Sequence, residues 1–163
     1  MTYKSIYWED VEVGQELPPY HKDVTATTVI AGAFASRDFM PVHHDRDFAN
    51  KNGAPDIFMN ILTSGGWVGG YLTRWSGPEA EIKKVDISLG VPCFPGQTFD
   101  WRGKVVKKYV EKGQHLVDIE YAAAVPIGFH CRGVGTLALP TRAGAKTTSK
   151  AKAGAKASRG RQR

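Results

Sequence analysis

Asp38 and His43 stand five positions apart, with Pro41 between them. On an unbroken helix that spacing would put the two side chains well off a common face. A proline removes a backbone donor and biases the residue before it, here Met40, away from helical angles. A helix ending near Asp38 or Phe39 therefore lets the chain turn, so that the carboxylate at the helix end and the imidazole beyond the turn can converge on one small polar site. A carboxylate and a histidine sharing one water form an acid–base pair suited to near-neutral pH. The same residues also fit a turn cap at Asp38 and a solvated loop histidine at His43, and spacing alone leaves both readings open. His44, Asp45, Arg46 and Asp47 read as a solvated charged turn whose mutual ion pairs carry little energy.

Other chemistries find less support. His43-x-Asp45 together with a distant His115 or His130 matches, in residue types only, the two-histidine, one-carboxylate set of non-haem iron enzymes. That chemistry usually sits in a larger double-stranded β-helix, and too few strands precede His43 to build one. The sequence has no Cys/His spacing for zinc, no glycine-rich phosphate loop and no G-x-S-x-G elbow. No metal ligands are expected.

The elements around the pair follow from periodicity. Residues 7–17, where Val11, Val13 and Leu17 are separated by acids and Gly14, predict an irregular strand or loop. Residues 25–38 open with capping threonines and place Val29, Ala33 and Phe34 at helical spacing, which predicts a helix of about three turns. A turn-rich stretch follows. A second helix is predicted over residues 56–75, starting after Pro55 and carrying Ile57, Ile61, Leu62, Val68, Tyr71, Leu72 and Trp75. It contains Gly65, Gly66, Gly69 and Gly70, each unfavourable by about 1 kcal/mol relative to alanine, so something should approach its backbone closely. A packed sheet or helix would do; so would a ligand running along Gly65 and Gly66. From residue 82 the period changes toward 2, predicting strands over 82–91, 98–109, 115–125 and 129–139 with short turns between them. Sequential strands with short turns pair antiparallel, and a helix this apolar must be wrapped by them, an α+β arrangement.

At 163 residues the chain suits one domain, and its 42% hydrophobic content suits a globular one. The net charge of +6 is misleading, because residues 141–163 carry eight Lys or Arg and no acid, leaving 14 basic against 16 acidic side chains in residues 1–140. The expected organisation is a domain over 1–140 and a disordered basic tail over 141–163. That tail, with interspersed Ala and Gly and no aromatic residue, suits nonspecific phosphate contacts with nucleic acid at most. Cys93 and Cys131 sit in apolar surroundings and are expected as buried free thiols. With no signal-peptide pattern and no run long enough to span a bilayer, a cytoplasmic protein without membrane contacts is expected.

Residues 34–49 (FASRDFMPVHHDRDFA) resemble the hydratase-2 motif of MaoC-like (R)-specific enoyl-CoA hydratases, with Asp38, Pro41, Val42, His43 and Ala49 in register. The likeness runs over roughly residues 7–140. RDFxxVHHDRD, DIFxNILT, TxWxGPxAxIK and LGVP further resemble the small MaoC-like subunits of actinobacterial hydratases that act on steroid side-chain CoA thioesters. The resemblance implies a hot-dog fold, a sheet wrapped around a long central helix, with a CoA tunnel between two such folds. It implies Asp38 and His43 as catalytic residues, no cofactor beyond the CoA of the substrate, and a hetero-oligomer with a larger MaoC-like chain fused to an OB-fold domain, or otherwise a homodimer. A non-catalytic subunit shaping a partner's acyl pocket and an acyl-CoA thioesterase are the alternatives. Two features depart from the family pattern. Arg37 and Met40 stand where Gly and Asn are usual, and Phe58-Met59 replaces His-Gly, so the backbone N–H of Met59 is the expected donor to the thioester oxygen.

Overall fold

The computed structural model describes residues 4–143. After a 3-10 turn at Trp8–Asp10 the elements are β1 (Tyr20–Asp23), α1 (Ala26–Ala35), a second 3-10 turn (Pro41–His43), α2 (Arg46–Lys51), α3 (Ile61–Ser76), β2 (Glu81–Leu89), β3 (Thr98–Glu111), β4 (Gln114–Val125) and β5 (Gly128–Ala138). The five strands form one antiparallel sheet in the order β1-β3-β4-β5-β2. The sheet wraps α3, as the hot-dog expectation requires.

Alternation builds the inner face. Phe99, Trp101 and Val105 of β3, Val117, Ile119, Tyr121 and Ala123 of β4, and Cys131 and Leu137 of β5 are buried together with Val68, Tyr71, Leu72 and Trp75 of α3. Register shifts at Ile82/Lys84, Val105/Lys107 and Ala123/Ala124 bend the strands around the helix. Gly135 lets helix and sheet meet: a Cβ built there would lie 2.5 Å from Leu72 Cδ1, so α3 seats on β5 only because that side chain is missing.

Several elements differ from their sequence-based bounds. The opening stretch does lie along β3, through Leu17 N–H donating to the Gly103 carbonyl and a bridge between Glu16 and Lys104. β1 was not anticipated, because only Tyr20 of its four residues is even half-buried and no alternation marks it. The charged turn after His44 contains α2, whose N-cap Asp45 accepts from Phe48 N–H at 2.9 Å. The central helix starts at Ile61 rather than near residue 56. Residues 56–60 are non-helical because their backbone is used elsewhere: Phe58 N–H donates to the Val42 carbonyl at 3.3 Å and Met59 N–H to the Cys93 carbonyl at 2.9 Å.

Ordered structure also runs slightly past the expected boundary at residue 140, since Arg142 pairs with Asp10 and its backbone N–H donates to Glu9. The rest of the basic tail lies outside the described residues. Cys93 and Cys131 are both free and buried, and burial pushes each thiol up to about 12, which leaves them unreactive. No helix among the described residues is long and apolar enough to cross a membrane.

Candidate active site

Asp38 is delivered by the way α1 ends. Thr25 caps its start in a reciprocal box with Thr28. Its end is a Schellman motif: Arg37 N–H donates to the Phe34 carbonyl at 3.0 Å and Asp38 N–H to the Ala33 carbonyl at 2.9 Å. The helix therefore stops at Ala35, upstream of Pro41, and the proline instead opens the next 3-10 turn. The motif needs a left-handed residue at position 37, and Arg37 adopts it with φ 58°. Glycine is favoured there for the same reason. The departure at Arg37 thus keeps the geometry at an energetic cost. Arg37→Gly is expected to raise stability by about 0.5–1 kcal/mol, the left-handed penalty less the entropy of glycine. A lowered thermal midpoint would contradict this.

The 3-10 turn folds His43 back toward the carboxylate. His43 is buried, and its Nε2 lies 3.3 Å from Asp38 Oδ2. Its Nδ1 lies 2.6 Å from the Phe58 carbonyl, which can only accept, so Nδ1 carries the proton. In the neutral ring Nε2 is then a lone pair facing a carboxylate oxygen. Two acceptors this close need a proton or a water O–H between them. The sequence reading of Asp38 and His43 as one polar site is the arrangement the structure adopts.

Asp38 is held on both oxygens. Met40 N–H donates to Oδ1 at 3.2 Å and Asn60 Nδ2 to Oδ2 at 3.0 Å. The Asn60 bond leads the causes that hold this carboxyl below its usual range, ahead of the opposing effect of burial, with the Met40 bond and the nearby His43 adding to it. Asn60 was missed in the sequence. An amide just before the apolar run of a helix is an N-cap signal, and it was overlooked because Pro55-Asp56 offered an earlier start.

Met59 does not have the expected role. Its N–H is taken by the Cys93 carbonyl, and it lies outside α3. In the first turn of α3, Thr63 N–H is bound by Asn60 Oδ1 and Ser64 N–H by the Asn60 carbonyl. The N–H groups of Ile61 and Leu62 have no partner within the helix, as first-turn donors cannot.

The glycine face of α3 is open. A Cβ at Gly65, Gly66 or Gly70 would meet nothing within 4 Å, and one at Gly69 only Ile82, so the expected close approach is not made by this chain. It occurs instead at Gly32 of α1, where a Cβ would stand 2.4 Å from Thr63 Oγ1. Gly66 and Gly70 line a cavity of about 170 Å³ with Lys22, Trp67 and Arg74. The iron-type set is not assembled. His115 packs on Trp8, His130 binds Ser64 and the Val91 carbonyl, and no three His, Cys, Asp or Glu among the described residues cluster as metal ligands would.

No family model matches the sequence. The 3-oxo-4,17-pregnadiene-20-carboxyl-CoA hydratase beta subunit of Mycobacterium tuberculosis is 45% identical over 93 residues, 57% of this chain and 72% of the relative. A chain of the crystal structure of the ChsH1–ChsH2 complex from Mycobacterium tuberculosis is 38% identical, with TM-score 0.73 over 78% of this chain and 98% of that one. R-hydratase PhaJ1 from Pseudomonas aeruginosa, at 18% identity, shares the fold with TM-score 0.76 over 85% of this chain and 88% of its own. With the Asp38–His43 pair in place and a relative of this identity covered over most of its length, the chain belongs to the MaoC-like (R)-specific enoyl-CoA hydratase family and is similar to the beta subunit of a steroid side-chain hydratase.

Proposed function

We propose that this chain is the catalytic small subunit of an enoyl-CoA hydratase, adding water across the double bond of an α,β-unsaturated acyl-CoA. The observation that carries the reading is the 3.3 Å approach of Asp38 Oδ2 and His43 Nε2, two proton acceptors aimed at one point. A water there donates to both. One of the pair takes a proton from the water as its oxygen attacks the β-carbon, and that same proton, shared between Oδ2 and Nε2, is then delivered to the α-carbon on the same face, so the pair ends as it began. The first-turn N–H groups of Ile61 and Leu62, in the positive end of the α3 dipole, are the donors for the enolate oxygen, in place of Met59. The chemistry asks for no cofactor beyond the CoA of the substrate.

A large apolar acyl group fits the surroundings. Phe34, Phe39, Met40, Ile61 and Leu62 are all exposed, Phe39 at 62%, and each lies within four residues of Asp38 or Asn60 in sequence. Such a patch beside a half-buried polar pair suits an apolar ligand or an apolar partner surface. The steroid acyl-CoA named for the relative is the substrate class proposed here. A larger MaoC-like partner is proposed on the ground that one neighbour is a two-protein complex, and that β2 forms a nine-residue sheet edge in this chain.

The test is to purify the chain with and without a co-expressed larger MaoC-like subunit. Both preparations are then assayed with a steroid enoyl-CoA and with crotonyl-CoA. Hydroxyacyl-CoA should form fastest from the steroid substrate and with the partner present. Preference for crotonyl-CoA would remove the steroid assignment, and free CoA as product would replace hydration by thioester hydrolysis.

A further inference from the structure

Asn60 belongs to two structures at once. Its backbone begins α3, and its side chain, 2% exposed, spans the gap to the end of α1. Each hydrogen-bonding direction of the amide has a defined partner. Oδ1 accepts from Thr63 N–H at 3.0 Å, and Nδ2 donates to Asp38 Oδ2 at 3.0 Å and to Ser36 Oγ at 2.9 Å. The orientation of the amide is fixed by chemistry, because a backbone N–H needs the oxygen and a carboxylate needs the nitrogen. Ser36 is oriented in turn, since its hydroxyl proton goes to carbonyls of α1, Gly32 at 2.9 Å or Ala33 at 3.0 Å, leaving Oγ to accept.

From this connectivity we infer that Asn60 is a positioning residue for the hydration reaction, holding the Asp38 carboxylate in the one rotation that aims a free lone pair of Oδ2 at the His43 side. The inference rests on the proposed hydratase function and extends it to a residue outside the Asp38–His43 motif. Oδ2 has two lone-pair directions; Asn60 fills one and thereby reserves the other for the shared proton or water. Met40 N–H pins Oδ1 from the opposite side. The same amide ties the carboxylate to the first turn of α3, so the base and the enolate donors move as one body. Loss of the Nδ2 donor frees the carboxylate to rotate and removes the largest influence holding it ionised.

The alternative is that Asn60 serves only as the N-cap of α3. Asn60→Ser and Asn60→Asp separate the two, because both residues cap helices well and neither presents an amide donor to Asp38. The complex with the co-expressed larger subunit is assayed with crotonyl-CoA and a steroid enoyl-CoA, while thermal melting follows folding. The Asp38 carboxyl is titrated by ¹³C NMR. Positioning predicts that kcat falls by about 10–100-fold in Asn60→Ser with KM nearly unchanged, in line with what slight misplacement costs. It also predicts that the Asp38 titration moves up toward the ordinary carboxylate range. In Asn60→Asp the two carboxyls share a proton and a further ionisation appears above that range. Wild-type kcat and an unmoved Asp38 titration in Asn60→Ser overturn the inference. Should Asn60→Asp fail to fold, Asn60→Ser decides alone. Asp38→Asn run in parallel keeps the two claims apart: if it retains activity, the hydratase reading has failed, whereas an inactive Asp38→Asn beside fully active Asn60 variants removes only the positioning role.

Discussion

Asp38→Asn and His43→Ala are each expected to lower the hydration rate by about 10²–10⁴-fold, the range for losing one general acid or base. In Asp38→Asn the single amide oxygen can still accept from Met40 N–H, a bond of 3.2 Å to the aspartate, but the amide nitrogen then faces Asn60 Nδ2 and the 3.0 Å bond to that donor is lost together with the charge and basicity. His43→Ala additionally strips the Phe58 carbonyl of its donor, and should cost about 1–3 kcal/mol in stability. The pair acts on one water, so the double variant should be hardly worse than either single one. Asp38 is held below the usual carboxylate range by Asn60, and therefore remains ionised as pH falls through values that would neutralise an ordinary aspartate. Steady-state hydration with the partner subunit present measures all of this, and near-normal turnover in either single variant would sink the assignment.

The second large effect is on stability. Leu72 is fully buried on α3 and its Cδ1 occupies the space a side chain at Gly135 would need, 2.5 Å from the position of such a Cβ. Leu72→Ala should destabilise by about 2–5 kcal/mol through lost burial and the cavity left behind. Gly135→Ala should destabilise by about 1–3 kcal/mol through overpacking against the same side chain. Combined, the new methyl at 135 enters the space vacated at 72, and the loss should be smaller than the sum of the two. Urea unfolding reads each as a shifted midpoint with little change in slope. Strict additivity would mean that this contact does not seat the helix on the sheet.

The legible parts of this chain were those whose pattern reflects their own burial. β3, β4 and β5 alternate because one face of each packs on α3, and their bounds were readable to within a few residues. The approach of Asp38 and His43 was readable because Asp38, Pro41 and His43 are close in sequence. What stayed hidden is held by distant partners. Residues 56–60 look like a helix start, with a proline and an acid, but Met59 N–H is bound to Cys93 and Phe58 N–H to Val42, and neither bond leaves a local trace. Asn60 reaches Asp38 across 22 positions. Arg37 gave no sign of a left-handed backbone, because arginine seldom adopts one. α2 buries only Ala49 and so carries no periodic stripe.

The bond from His43 Nδ1 to the Phe58 carbonyl limits how protons can travel. With that nitrogen permanently occupied, the imidazole is not a two-ended relay passing protons outward to solvent. Whatever it gains at Nε2 must leave by Nε2, so proton traffic is a closed loop within the pocket. In the proposed hydration, forward addition and reverse elimination would then run along one track, and each turnover would return the ring to its starting form without a flip.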